Sequence, residues 1–122
     1  MRFVEIQNIS QPLNSPIHAG ICETFIQKLR GLMFYPSITL REGRLFIEKE
    51  ESKLNASIHM LFMKFDITVV WIDRKFEVVD VILAKQWRPY YFPALPAQYT
   101  LELHASRLSE FHVGDKLLIK ND

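Results

Sequence analysis

The stretch from Phe65 to Leu83, FDITVVWIDRKFEVVDVIL, decides the fold class. Two runs rich in β-branched and aromatic residues, Phe65–Ile72 and Phe76–Leu83, flank the short polar segment Asp73–Lys75. Residues of these types favour strands, and a short polar connection between two such runs favours a tight turn. The sequence therefore predicts a β-hairpin within a β-rich domain.

The segments on either side of this hairpin show mostly the same period of two. From Leu54 to Met63 the side chains alternate cleanly, which predicts a half-buried strand that ends more apolar than it begins. Weaker alternation predicts further strands at Arg2–Ile9, Ile17–Cys22, Arg44–Glu48, Tyr99–His104 and Lys116–Lys120. The expected total is about seven short strands.

One segment instead shows the spacing of a helix. Thr24 and Gln27 stand three residues apart, as in a capping box, and Gly31 with the nearby cations Lys28 and Arg30 suits the carboxyl end. The apolar residues recur at helical intervals, at Phe25, Ile26, Leu29, Leu32 and Met33. The pattern predicts a short α-helix over about residues 24–32, and a second helical turn is expected from Ser106 to Phe111.

The length of 122 residues suits one compact core, so we expect a single domain over residues 1–122. The predicted fold class is mainly β, a small single-domain barrel or curled antiparallel sheet of about seven strands with one short α-helix.

Charge and hydropathy exclude several classes of protein. A net charge of +1, from 15 Lys and Arg against 14 Asp and Glu, argues against a protein that binds duplex nucleic acid through many phosphate contacts. The 48% of hydrophobic residues argue against global disorder. No apolar stretch approaches the roughly 20 residues that span a bilayer, so no membrane association is expected.

The amino terminus and the cysteine content favour a cytoplasmic location. Glu5 stands where a signal peptide would have its apolar region. Cys22 is the single cysteine, so no internal disulfide can form.

The chain resembles the uncharacterised domain-of-unknown-function family numbered 192, an ancient conserved region family. The resemblance depends on the order and spacing of short landmarks: Arg30-Gly31-Leu32-Met33, Met63, Val69–Asp73, Val78-Val79, Tyr99–Leu103 and Gly114-Asp115. It implies a compact β-rich domain, and it implies no particular activity, because none is established for the family as a whole.

The segment Lys85–Pro96 is the richest candidate site, with four aromatic residues, two cations, three prolines and no acid. Prolines disfavour a central strand, so an ordered surface loop or edge is expected, and aromatic rings with cations suit aromatic or anionic ligands. The leading hypothesis is a binding module for a small anionic or aromatic ligand, or for a partner protein. The predicted ligand-binding residues are Arg30, His59, Trp87, Arg88, Tyr90 and Tyr91.

Two alternatives remain open for this segment. It could fold down as a lid or core element over an open end of the sheet, or its residues Tyr90–Phe92 could form the contact of a homodimer built from structural subunits. Arg30 also has a structural reading, because a guanidinium at a helix end can bond carbonyls that are left unpaired there.

The competing class is a small hydrolase or transferase. Glu102 and His104 alternate along one predicted strand face and could act as an acid–base pair, while Asp66 and Cys22 are further candidates. No nucleotide-binding glycine loop, zinc spacing or nucleophile elbow is present, so we expect no cofactor and regard an enzyme as the minority hypothesis. No catalytic residue is assigned.

A metal site is the weakest candidate. His59, Met60 and Met63 carry ligand types that suit copper. In a strand, His59 and Met60 point to opposite faces, so we expect Met60 in the core and no metal.

Overall fold

A computed structural model describes residues 1–122 as one curled, seven-stranded sheet with two short helical segments. The elements in chain order are β1 Phe3–Asn8, β2 Ile17–Cys22, α1 Phe25–Arg30, β3 Glu42–Ser52, β4 Ile67–Ile72, β5 Val78–Ala84, β6 Ala97–His104, a 3₁₀ helix Ala105–Glu110 and β7 Leu117–Asn121. The mainly β fold class with one short α-helix is confirmed.

The strands lie in the order β5-β4-β6-β3-β2-β1-β7. All neighbours are antiparallel except β2 and β3, which are parallel. This pair is the parallel exception in the predicted barrel or curled antiparallel sheet, because α1 and the loop after it carry the chain from the end of β2 back to the start of β3. This crossover places α1 beside the middle of the sheet.

The sheet curls into a half-barrel. Its outermost strands, β5 and β7, approach each other through one bridge, between Glu77 and Lys116. Two backbone hydrogen bonds support this contact, from the N–H of Val78 to Asp115 and from the N–H of Leu117 to Phe76, both of 2.8 Å. The predicted hairpin is present as β4 and β5, with a bulge between Trp71 and Ile72.

Two apolar clusters bury the two faces of β4. One cluster fills the inside of the curl and comprises Val4, Ile6, Ile17, Ala19, Ile21, Leu45, Val70, Ile72, Val78, Leu101, Leu103, Phe111 and Leu117. The other packs on the outer face and comprises Leu32, Ile38, Ala56, Ile58, Met60, Met63, Ile67, Val69, Trp71, Ala84 and Ala97. A strand buried on both faces explains the continuous apolar run in the sequence.

The prediction of a strand at Leu54–Met63 is wrong. The segment makes one isolated bridge, between Ile58 and Tyr91, and is otherwise irregular. Its alternation reflects burial, because Ala56 and Met60 pack against the outer face of β4 and the indole N–H of Trp71 donates to the carbonyl of Ala56 at 2.7 Å. An irregular segment can therefore show the strand period without joining the sheet.

The helix signals are confirmed in detail, although α1 ends at Arg30, two residues early. Thr24 accepts from the N–H of Gln27, and the Gln27 side chain accepts in return from the N–H of Thr24 at 3.3 Å. No residue of α1 is buried, so its apolar face is not a core face. None of the helices is long and apolar enough to cross a membrane.

The second helical turn is also present, one residue earlier than predicted. It is the 3₁₀ helix Ala105–Glu110, and its N-cap is His104, whose side chain accepts from the N–H of Ser106.

Candidate functional site

A pocket of about 490 Å³ opens between α1 and the sheet. Its walls come from α1 and the residues that follow it, from β3, from the segment 55–59 with Met63, and from β6. Seven of the 17 lining residues are hydrophobic: Phe25, Leu29, Leu32, Met33, Phe46, Ile58 and Met63. Nine of the other lining residues are polar or charged, so the pocket combines an apolar wall with many polar groups and is more polar than most small-molecule sites.

Glu102 is the central polar group of this pocket. Only 5% of its surface is exposed, and its carboxyl group makes no hydrogen bond with the rest of the chain. Burial raises the pKa of Glu102 from 4.5 to about 8, against the opposing charge of Arg44. At neutral pH the carboxyl group is therefore mostly protonated and can donate a hydrogen bond into the pocket.

Arg44 lies directly across from Glu102 in the pairing of β3 with β6. It is buried, its Nη1 donates to the carbonyl of Gly43 at 2.9 Å, and its Nε has no hydrogen-bond partner. The Tyr35 ring lies 5.4 Å from the Arg44 guanidinium and 5.1 Å from that of Arg30. The charge of Arg44 acts on Glu102, whereas Arg30 lines the pocket and Arg44 does not.

Gly31 lets the end of α1 lie close to Phe46 and Glu102, which line the pocket. Its φ of 46° lies in the region that favours glycine. A Cβ atom at this position would lie 2.9 Å from the Phe46 ring and 3.6 Å from a carboxyl oxygen of Glu102. Glycine is therefore required here both by the backbone and by the close contact.

His59 fastens the segment 55–59 to the end of α1. Its Nδ1 accepts from the N–H of Leu61 at 3.3 Å, and its Nε2 lies 3.3 Å from the carbonyl of Leu29. This pairing fits the tautomer with hydrogen on Nε2, which donates to one of the carbonyls that a helix end leaves free. His59 lines the pocket, but both of its ring nitrogens have partners within the protein.

The charged side chains at the rim also have partners. Lys28 pairs with Glu48 at 3.2 Å, and both side chains are partly buried. Arg30 lines the pocket, is exposed, and has its guanidinium over Tyr35. Of the two cations that line the pocket, Lys28 therefore has a carboxylate partner and Arg30 does not.

The six predicted ligand-binding residues do not form one site. Arg30 and His59 line the pocket, whereas Trp87, Arg88, Tyr90 and Tyr91 belong to the loop 85–96 outside it. The physical reason is that the segment 55–63 separates the two groups of residues, and its backbone forms hydrogen bonds with the loop 85–96. The predicted combined surface site is therefore divided in two.

The loop 85–96 is ordered by its own contacts. The N–H of Trp87 donates to the carbonyl of Met60 at 2.7 Å, and the N–H of Met60 donates to Arg88 at 3.0 Å. The Tyr91 hydroxyl accepts from the N–H of Lys85 at 2.8 Å, and the Arg88 guanidinium lies 5.2 Å from the Tyr91 ring. Most of the loop is exposed, so it is a surface element and not part of the core.

Two further contacts bear on this loop. Although it contains no acid, Lys85 pairs with Asp66 of the preceding connection at 3.6 Å. Tyr90 and Phe92 are stacked on each other at 6.2 Å and are exposed. A homodimer through these rings stays a prediction.

The structure does not bring the proposed acid–base pair together. Glu102 lies in the pocket, whereas His104 lies outside it and holds Ser106 through its Nδ1. Cys22 is fully buried, and burial, then the charge of Glu102, raise the pKa of its thiol to about 11, although Arg44 opposes the shift. A thiol in this state is a poor nucleophile.

Sequence reasoning missed Arg44 altogether, and it placed Glu102 on a strand face without recognising the pocket. No local pattern marks Arg44 as buried, since arginine is mostly exposed in folded proteins. The one usable signal was Gly31 after a capped helix, which indicates where a helix end can approach a sheet.

Comparison with known proteins agrees with the fold and the family resemblance. Residues 6–119 match the family DUF192, described as an uncharacterized ACR. A UPF0127 protein of Pyrococcus horikoshii is 39% identical over 116 residues, which are 92% of this chain and 96% of the relative. UPF0127 proteins of Thermococcus gammatolerans and Thermococcus kodakarensis are 41% and 42% identical, and the matched segments are 54% and 50% of their lengths. The chain thus spans about half the length of these two relatives.

Two crystal structures are similar in fold. A protein of Sinorhizobium meliloti 1021, whose name proposes a role in transcription regulation, has a TM-score of 0.82 at 17% identity, over 97% of this chain and 92% of that one. A protein of unknown function from Novosphingobium aromaticivorans has a TM-score of 0.80 at 20% identity, over 95% and 83%. At these identities the similarity concerns the fold alone.

Proposed function

The chain belongs to the DUF192 family, and from that premise we propose that it is a small-molecule binding protein whose site is the pocket between α1 and the sheet. The observation that carries this proposal is the Glu102 carboxyl group, which is buried, has no partner in the chain and lines the pocket. The carboxyl oxygens face the pocket, where a ligand that accepts the proton of Glu102 would gain a hydrogen bond in a partly desolvated site.

The lining defines the chemical class of ligand that fits best. Protonated Glu102 offers one O–H donor, Arg44 adds positive charge near it, and Arg30 adds a cation to the pocket lining. Seven hydrophobic residues also line the pocket. These features suit a small carboxylate with an aliphatic or aromatic body, because its head can share the Glu102 proton while its body packs on the apolar wall.

A catalytic role for the pocket has less support. A carboxyl group with a raised pKa can act as a general acid, but the reaction needs a second group to attack or to accept a proton. Both nitrogens of His59 have backbone partners, and Lys28 and Glu48 bond each other. Ligand binding needs no second reactive group, and we therefore favour a binding role over a catalytic one.

We further propose a cytoplasmic location. The support is the single, fully buried thiol of Cys22, since a reducing compartment requires no disulfide.

The binding proposal can be tested with hexanoate, hexanol and hexylamine, which share one body and differ in the head group. In NMR titrations at neutral pH, we expect hexanoate to bind most tightly and to shift the methyl signals of Leu32 and Met63. We expect Glu102→Leu to weaken hexanoate roughly tenfold or more, and Glu102→Gln to retain most of the affinity, because an amide still donates. Preference for hexylamine, or shifts away from the pocket, would reject the proposal.

The pH dependence provides a second check. Ionisation of Glu102 removes the donor and adds a repulsive charge, so hexanoate affinity should fall as the pH rises through about 8. Glu102→Gln should abolish that dependence. Equal pH profiles for the two proteins would contradict the assigned role.

A further inference from the structure

A row of three exposed aromatic rings stands beside the pocket. The ring centroids of Phe34 and Phe62 are 5.2 Å apart, and those of Phe62 and Trp87 are 5.1 Å apart. About half of each side chain is exposed, with values of 55%, 46% and 55% along the row. Met33 and Met63, which line the pocket, are the chain neighbours of the first two rings. We call these three residues the aromatic row.

All three residues of the aromatic row have a left-handed backbone. Phe34, Phe62 and Trp87 have φ angles of 68°, 61° and 69°, and Phe76 is the other non-glycine residue with positive φ. This conformation is strained for bulky side chains. Hydrogen bonds from the N–H of Phe34 to Phe62 and from the N–H of Trp87 to Met60 hold it in place. The fold thus keeps three rings in solvent at an energetic cost, which indicates a use for them.

The three segments that carry the aromatic row contain cations and no acid of their own. The row is built from residues 28–41, 53–65 and 85–96, which backbone hydrogen bonds and the ring contacts join. These three segments contain seven Lys and Arg, namely Lys28, Arg30, Arg41, Lys53, Lys64, Lys85 and Arg88, and none of the 14 Asp and Glu. Lys28 pairs with Glu48 and Lys85 with Asp66, so the surplus of positive charge comes from the other five cations.

We propose that the surface bearing the aromatic row docks on an anionic lipid membrane. Aromatic rings, Trp above all, prefer the boundary between headgroups and acyl chains, and nearby Lys and Arg are attracted to anionic headgroups. Lys64 and Arg88 are exposed beside Phe62 and Trp87 and are placed to make that contact.

Other features favour lipid over single-stranded nucleic acid. The rings of the aromatic row pack against one another at about 5 Å, which leaves no space between them for a base to stack. The surface also includes exposed aliphatic residues, Leu29 and Leu61, which suit acyl chains better than bases. The exposed apolar residues Phe25 and Ile26 of α1 extend the apolar area near the pocket.

This proposal departs from the expectation of no membrane association. That expectation depended on the lack of an apolar stretch long enough to span a bilayer, and docking from one side needs no such stretch. It also does not depend on the ligand of the pocket. Glu102→Gln should therefore bind vesicles like the unchanged protein, whatever the outcome of the hexanoate titrations.

The test measures co-sedimentation with vesicles of phosphatidylcholine, alone or mixed with an equal part of phosphatidylglycerol. We expect binding to the mixed vesicles that weakens with added salt, and little binding to phosphatidylcholine alone. Lipids brominated in the acyl chains should quench the fluorescence of exposed Trp87 and not that of Trp71, which is fully buried. Absence of binding to the mixed vesicles, or binding without quenching, would overturn the proposal.

Two pairs of variants separate docking from folding. Phe62→Asn should keep the fold, since Asn tolerates positive φ, and should weaken vesicle binding roughly tenfold. Ile9→Asn is the matched control, because Ile9 is exposed at 62% in the connection after β1 and should bind as before. Lys64→Glu should weaken binding about tenfold or more, and Lys49→Glu much less.

Alternative partners provide the contrary outcomes. Tighter binding to an oligouridylate than to the mixed vesicles would assign the surface to nucleic acid. Light scattering that shows a dimer dissociated by Phe62→Asn would assign it to a second copy of the chain. Either result would overturn membrane docking.

Discussion

Two buried arginine–glutamate pairs in this small domain have opposite characters. In the first pair, Arg107 donates to both carboxyl oxygens of Glu110, at 2.9 and 3.1 Å, and the N–H of Asn14 donates to the same carboxyl group at 2.8 Å. Arg107 also donates to the carbonyls of Ser15 and Leu40. Burial alone would raise the pKa of Glu110. The hydrogen bonds that Glu110 accepts from Arg107 and Asn14, together with the charge of Arg107, hold that pKa below 4.5.

The second pair lacks these hydrogen bonds. Arg44 and Glu102 are cross-strand neighbours, yet the carboxyl group of Glu102 makes no hydrogen bond and the Nε of Arg44 has no partner. Here the effect of burial exceeds that of the Arg44 charge, and the pKa of Glu102 rises to about 8. The first pair holds Asn14, Ser15 and Leu40 through hydrogen bonds, whereas in the second pair the Glu102 carboxyl group is left available at the pocket. This difference separates a structural ion pair from a candidate site.

The largest expected effect comes from breaking the structural pair. Glu110→Ala leaves the Arg107 guanidinium buried without a carboxylate, and we expect a loss of about 3–5 kcal/mol in the free energy of unfolding. Glu102→Gln should cost less than about 1 kcal/mol near pH 6, because it replaces a neutral group that has no hydrogen bond. Urea unfolding measures both. Similar losses for the two variants would remove the distinction between the pairs.

The pH dependence of stability should reveal the second pair. The folded pKa of Glu102, about 8, lies above its ordinary value of 4.5. Its contribution is therefore complete below about pH 4.5 and is lost as the pH rises to about 8, on the order of a few kcal/mol. Glu110 has the opposite sign, and its contribution is lost only as the pH falls below 4.5.

Glu102→Gln removes the Glu102 contribution and provides the control. Urea unfolding between about pH 5 and 9 should show stability falling with pH in the unchanged protein and falling less in the variant. Parallel curves would mean that Glu102 ionises as easily in the folded state as in the unfolded state.

A smaller effect distinguishes the pocket glycine from a turn glycine. Gly31 and Gly114 both have positive φ, at 46° and 94°, but only Gly31 has atoms close to a would-be Cβ. We expect Gly114→Ala to cost about 1–2 kcal/mol from backbone strain, and Gly31→Ala to cost more, because the Phe46 ring must also move. Thermal unfolding compares them. Equal costs would show that the end of α1 is not in close contact with the Phe46 ring.

Local signals predicted most of the fold. The hairpin of β4 and β5 and the capping box of Thr24 and Gln27 depend on residues close together in the chain, and both are present. The prediction failed at Leu54–Met63, where the alternation reflects packing on the outer face of β4. Periodicity reports which side chains are buried, and it does not report whether a neighbouring strand is available.

The candidate site was harder to predict because its members meet only in the folded chain. Arg44 and Glu102 are brought together by the register of β3 with β6, and no motif in either strand encodes that pairing. The aromatic segment 85–96 attracted the functional prediction through its composition. Its rings turned out to lie outside the pocket, although Arg30 and His59 do line it.

The central claim is that Glu102 is a buried carboxyl group kept neutral for a ligand, and NMR titration of its side-chain carbon tests this most directly. In the folded, ligand-free protein, the signal of Glu102 should titrate near pH 8, while that of Glu110 titrates below 4.5. A midpoint for Glu102 at or below 4.5 would contradict the account, because the carboxyl group would then be ionised at neutral pH and could not donate to a bound carboxylate.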